Sequence, residues 1–144
     1  MSKLTVGQFR AALQLERPVL HVKSSQDKIK MEHYVPLHQH VIDALQPLLV
    51  GRGEKVAMFA YNNFNQLVKR QKIPLSRISS HFVLGDFRKF AEQYGDVIQW
   101  EQSNRAYILT NGVSGVEWTH YRHLLPEYVF GVYLKYWNDV RFVH

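Results

Sequence analysis

Arg105-Ala-Tyr-Ile-Leu-Thr-Asn-Gly112-Val-Ser-Gly-Val-Glu-Trp-Thr-His-Tyr121-Arg-His-Leu-Leu-Pro126-Glu-Tyr-Val-Phe-Gly-Val-Tyr-Leu-Lys-Tyr-Trp137 holds two helix boundaries and, between them, one tyrosine among cations. Asn111-Gly112 predicts a helix stop, because both residues tolerate the left-handed backbone of a C-cap. Pro126-Glu127 predicts a helix start, with proline in the first turn and a carboxylate near the positive end of the dipole. Tyr121 stands between, flanked by His120, Arg122 and His123. A phenol in such company suits nucleophilic attack on a phosphate, but packing a loop onto the core is by far the commoner task of a single tyrosine. Spacing to the rest of the chain has to separate the two.

Outward from that stretch, 144 residues with 46% hydrophobic and 21% charged side chains describe one globular domain over residues 1–144. Lys and Arg number 18 against 12 Asp and Glu, a net charge of +6 that favours an anionic partner such as nucleic acid. The chain has no cysteine, which excludes disulfides and cysteine-type zinc sites. No apolar run approaches the roughly 20 residues of a membrane span, and the N-terminus lacks the pattern of a signal peptide. The expectation is a soluble, intracellular protein of the cytoplasm or nucleoid, without a membrane partner.

Leu4, Val6, Phe9, Ala12, Leu13 and Leu15 recur at nearly helical spacing. The β-rich runs 18–23 and 32–37 predict a hairpin with a polar, basic tip. Residues 38–49 predict a helix with Val41, Leu45, Leu48 and Leu49 inward, and Pro47 marks its last turn or a kink. Asn62-Asn63 suits a helix cap for a segment to about Arg70, and 73–80 is a Ser-rich connector holding Pro74. Residues 85–94 predict a helix with Phe87, Phe90, Ala91 and Tyr94 on one face, stopped at Gly95. Residues 97–108 predict a further helix. The fold class is mainly α with a small antiparallel β-hairpin (α+β).

Three features bear on chemistry. Lys23, Lys28 and Lys30 crowd the hairpin tip, where they are either exposed loop lysines or ammonium groups delivered to a phosphate. Arg88 reads as a surface arginine or as a planar fork for two phosphate oxygens, with Lys89 beside it. His33, His38 and His40, like His120 and His123, lack a nearby acidic ligand, so solvated histidines are expected rather than a metal set. No Gly-rich phosphate loop, hydrolase elbow or paired-carboxylate spacing is present.

Taken in order, these pieces resemble the catalytic domain of tyrosine recombinases, the phage integrases, and especially their archaeal branch. Lys28 stands eight residues before Pro36 of Val35-Pro36-Leu37, as a lysine does in the family's hairpin. Gly85-Asp86-Phe87-Arg88-Lys89 is similar to the His-x-x-Arg box, with Gly in place of His. Leu109-Thr110-Asn111 is similar to the Leu-Gly-His turn, with Asn in place of His. Tyr121-Arg-His123-Leu-Leu-Pro126-Glu127 is similar to the Tyr-x-His-x-x-Pro-Glu segment of the nucleophile. The upstream Arg box is not found, since Arg10 lacks its flanking Gly and Glu and lies only 18 residues before Lys28. The resemblance therefore implies a catalytic domain lacking its N-terminal part.

It implies DNA integration and recombination of the kind that mobile elements use, through a 3′-phosphotyrosyl intermediate and with neither metal nor nucleotide cofactor. Tyr121 would be the nucleophile, Arg88 a phosphate clamp, Lys28 the acid for the leaving oxygen, and Asn111 a hydrogen-bond donor. Lys23, Lys30, Lys89, Arg122 and His123 would contact double-stranded DNA. Tyr128 and Tyr107 are the next hydroxyls to consider should Tyr121 not carry the bond. Loss of one preorganised donor costs typically 10²–10³ in rate, so an active core, a degenerate one and a non-catalytic module all stay open. The implied partners are duplex DNA, other recombinase subunits, and a polypeptide that supplies the missing Arg box.

Overall fold

In a computed structural model, which describes residues 4–27, 30–59, 66, 84–109 and 126–141, the chain enters its first helix through a reciprocal cap. The Thr5 hydroxyl accepts from the Gln8 amide while the Gln8 side chain accepts from the Thr5 amide, which satisfies donors that helix α1 (Val6–Leu13) would leave open. The Gln8 side-chain amide also donates to the carbonyl of His21 at 2.9 Å and pairs with Gln26 at 2.8 Å. One residue thus starts the helix and ties it to the strand that follows.

Strands β1 (Val19–Val22) and β2 (His33–Pro36) pair antiparallel, with Val19 opposite Pro36 and Val22 opposite His33. The predicted hairpin is present. Proline is tolerated at the end of β2 because its missing N–H falls where the strand ends. His38 caps helix α2 (Gln39–Leu49), whose last turn accommodates Pro47. The buried stripe of α2 is Ile42, Leu45 and Leu49, so the expected inward positions Val41 and Leu48 are instead exposed. The helix is rotated by about one position from that reading, because Ile42 packs with Val6, Phe9, Leu20, Val22, Leu37 and Met58 in one aliphatic core. Arg10 closes the far end of α2 by donating to the carbonyls of Leu49 and Arg52, both at 2.7 Å, and pairs with Glu54.

Helix α3 (Leu84–Val97) runs past Gly95, and helix α4 (Gln102–Leu109) starts later than 97. The stop comes from a Schellman turn at Gln99, whose φ is 53°. Trp100 N–H donates to the carbonyl of Gly95 at 2.7 Å, and Gln99 N–H to that of Asp96 at 3.2 Å. Gly95 serves packing instead: a Cβ there would lie 2.9 Å from the Arg105 side chain, which bonds the Glu92 carbonyl and the Asp96 carboxylate. Of the aromatic residues expected on one face of α3, Phe87 and Phe90 are 54% and 60% exposed.

Helix α5 (Pro126–Trp137) starts at the predicted proline and buries Val129, Phe130, Tyr133 and Trp137. A second, aromatic core forms where Trp100 meets Trp137 edge-on at 5.1 Å and Tyr133 stacks on Trp137 at 6.0 Å. Both α4 and α5 touch β2, so the hairpin joins the two cores. The described architecture is α+β, helices around one two-stranded sheet. The expected helix over 62–70 lies outside the described residues, apart from Gln66, which is helical.

Candidate functional site

The hairpin tip is shaped by its own polar groups. Gln26 N–H donates to the Lys23 carbonyl at 2.8 Å, and the Gln26 side chain accepts from Lys23 N–H at 3.1 Å. Asp27 accepts Lys30 N–H on its carbonyl and Met31 N–H on its carboxylate at 3.1 Å. Lys30 adopts a left-handed φ of 59°, a conformation that costs a non-glycine residue roughly 1 kcal/mol or more and persists only where neighbours fix it. Here the two Asp27 bonds bracket it.

Beneath the tip, His33 is 6% exposed and its Nδ1 lies 3.1 Å from the Met31 carbonyl. Its ring stands edge-on to Tyr107, and the Tyr107 hydroxyl accepts the Tyr34 N–H at 3.1 Å. Tyr107 thereby fastens α4 to the backbone of β2. Burial holds the His33 imidazole below its ordinary proton affinity, and the charges of His21 and Arg88 push in the same direction, against the Met31 bond and Asp27.

Arg88, Lys23 and Lys30 are all exposed, and among the described residues none of them forms an ion pair. The nearby carboxylates are engaged: Glu32 meets His21 at 2.7 Å, and Asp27 holds the turn. Lys89 pairs with Asp86 at 3.4 Å, an exposed contact of little strength. Lys23 and Lys30 make the tip cationic, and on α3 the exposed Arg88 offers a guanidinium fork suited to phosphate oxygens.

Lys28, Asn111, Tyr121, Arg122 and His123 lie outside the described residues. Two corrections concern the histidines and tyrosines. His33 and His38 are buried rather than solvated, because each ring has a backbone partner that lets it leave water. Tyr107 is unsuited as a nucleophile: it is 2% exposed, burial raises its phenol above the ordinary range, and its oxygen is occupied by Tyr34. Tyr128 is exposed. The alternation of β2 places His33 and Val35 on one face and was the available signal for a buried histidine. Tyr107 needs tertiary contact to be seen.

Among the described residues no three His, Asp or Glu side chains converge as a metal set, and no helix is long and apolar enough to cross a membrane. Comparisons with protein-family models, curated proteins and solved structures return no match for this chain.

Proposed function

We propose that this chain is a catalytic-domain fragment of the tyrosine-recombinase type, which binds duplex DNA and retains part of the machinery for breaking and rejoining a strand. The feature that supports it most is the order along the chain of the motifs around Lys28, Arg88, Asn111 and Tyr121, together with the exposure of Arg88 and of the hairpin lysines Lys23 and Lys30. Arg88 lies more than fifty positions beyond those lysines in sequence, yet a phosphate chemistry needs them on one face. In this reading the Tyr121 hydroxyl gives up its proton to solvent as its oxygen attacks phosphorus and forms the P–O bond. The P–O5′ bond breaks, and Lys28 gives the departing 5′-oxygen its proton. Arg88 and Asn111 hydrogen-bond the non-bridging oxygens as charge gathers there.

A second reading, a module that binds DNA without cutting it, is favoured by one contact set. Arg10 is committed to Glu54 and to the carbonyls of Leu49 and Arg52, so it has a structural task and does not stand in for a second clamp. Slow cleavage is therefore expected even on the first reading. A nicked suicide duplex separates the two, because loss of the short product traps the phosphotyrosyl bond. An adduct abolished by Tyr121→Phe, with DNA binding unchanged, supports the recombinase fragment. Salt-sensitive binding without any adduct supports the module. No binding at low salt removes both.

A further inference from the structure

The leg of the hairpin that returns into β2 is gripped at one residue. Met31 N–H donates to the Asp27 carboxylate at 3.1 Å, and the Met31 carbonyl lies 3.1 Å from Nδ1 of His33. A carbonyl only accepts, so that contact fixes the tautomer: Nδ1 carries the proton of the neutral ring, and a second proton must go to Nε2. Lys30, the residue before Met31, keeps its left-handed φ of 59° beside these bonds. The His33 ring is 6% exposed and stands edge-on to Tyr107 of α4, with 6.4 Å between ring centroids. Tyr107 in turn accepts the Tyr34 N–H at 3.1 Å. One buried imidazole thus lies between the returning leg of the hairpin and the side chain that fastens α4 to β2.

We propose that His33 is an acid-sensitive latch on the hairpin: the neutral, buried ring holds the Met31 carbonyl and packs on Tyr107, and a proton on Nε2 drives the ring into water and releases the leg that carries Lys30. Nδ1–H is present in both protonation states, so the latch opens through the cost of a buried charge and not through a lost donor. A charged ring inside needs water or a counter-charge. The ionisable groups of the surrounding elements supply little of either. On β1 stand the cation of Lys23 and His21, which meets Glu32 of the returning leg at 2.7 Å and stacks on Tyr34 of β2. On α4, Tyr107 is a neutral phenol, and Arg105 is bound to Asp96 and to the Glu92 carbonyl. On α5, which also packs against β2, Tyr133 lies in the aromatic core, Lys135 stands over the Tyr136 ring, and Glu127 and Tyr128 are exposed. Asp27 favours the charged ring but already holds the Met31 N–H. Burial, His21 and Arg88 act against it and prevail, so the folded ring binds its proton more weakly than an exposed histidine does. The latch therefore holds above the ordinary histidine value of about 6.5 and yields as pH falls through it. It acts on the tip that bears Lys23 and Lys30, and it stands whether or not that tip meets DNA.

The test is an NMR pH titration of the intact chain, wild type against His33→Asn, with the rings of His21, His33 and His38 followed separately. Asn keeps an N–H donor for the Met31 carbonyl but does not titrate. In the wild type, His33 should carry its proton on Nδ1 at neutral pH. Between about pH 7.5 and about pH 5, exchange of the Met31 and Tyr34 amides, corrected for intrinsic rates and referred to amides of α1, should rise severalfold, by at most about tenfold per pH unit, the limit for one linked proton. The rise should follow the titration of the His33 ring and be absent in His33→Asn. Should that variant not fold, the agreement between amides and ring in the wild type carries the test. A proton on Nε2 at neutral pH, no rise beyond that of α1, a rise that follows the His21 or His38 ring instead, or an equal rise in folded His33→Asn would each overturn the latch.

Discussion

The two cores of this chain are built from different materials. Between α1, the hairpin and α2 the contacts are aliphatic: Val6, Leu20, Val22, Ile42, Leu45 and Leu49 interdigitate around Phe9. Between α3, α4 and α5 they are aromatic, and rings bring polar atoms inside with them. Trp100 Nε1–H finds the buried Asn104 side chain at 2.7 Å, and the Tyr107 hydroxyl finds Tyr34 N–H. Trp137 Nε1–H is buried with no acceptor among the described residues. The aliphatic side gains its stability from volume filled. The aromatic side must also satisfy its donors, and each unmet one costs about 1–3 kcal/mol.

That contrast can be broken most severely in the cores themselves. Trp137→Ala should cost about 3–5 kcal/mol and Leu45→Ala about 2–5 kcal/mol, both read from urea midpoints. Because β2 contacts α4 and α5 as well as β1, either change should shift the transitions seen by far-UV dichroism and by tryptophan fluorescence together. Two separated transitions would mean that the cores unfold independently.

A smaller effect should appear with pH. His33 and His38 both bind protons more weakly when folded, chiefly through burial. The unfolded chain therefore takes up more protons, and stability rises with pH across the range where they differ. Their contribution is complete above the ordinary histidine value of about 6.5 and is lost as pH falls through it towards the folded values. Midpoints measured at about pH 7.5 should exceed those at about pH 5, and flat midpoints would contradict the burial of both rings.

Trp137→Phe should be the mildest change, within about 1.5 kcal/mol of wild type, because the lost ring area is offset by removal of an unpaired donor. A loss as large as that of Trp137→Ala would show that the indole N–H has an acceptor after all.

The same contrast decides how much the sequence disclosed. The hairpin was readable because Val19-Leu20 and Val35-Pro36 are short β-rich runs around a polar tip, and a two-stranded pairing follows from them. Helix α2 was readable as a helix, but its inward face was not, since Val41 and Ile42 are equally apolar and only packing chooses between them. Gly95 misled for a physical reason: glycine serves both left-handed caps and close approaches, and here Arg105 needs the space while Gln99 takes the positive φ. At the candidate site, Arg88 and the lysines were visible as residue types. A shared face for them would be set by tertiary packing, which no local pattern encodes. The burial of His33 was signalled by the alternation of β2, whereas that of Tyr107 follows from the packing of α4 on β2, a tertiary contact.

The most direct test of the account is the salt dependence of duplex DNA binding, measured by fluorescence anisotropy on the wild type and on Arg88→Gln, Lys23→Gln and Lys30→Gln. If the hairpin tip and Arg88 form one phosphate-binding face, log affinity should fall linearly with log salt, by a slope of roughly −0.9 for each phosphate neutralised. Each substitution should then weaken binding at every sequence alike and reduce that slope by about 1. Binding that is absent at low salt, or a slope that none of the three substitutions changes, would contradict it.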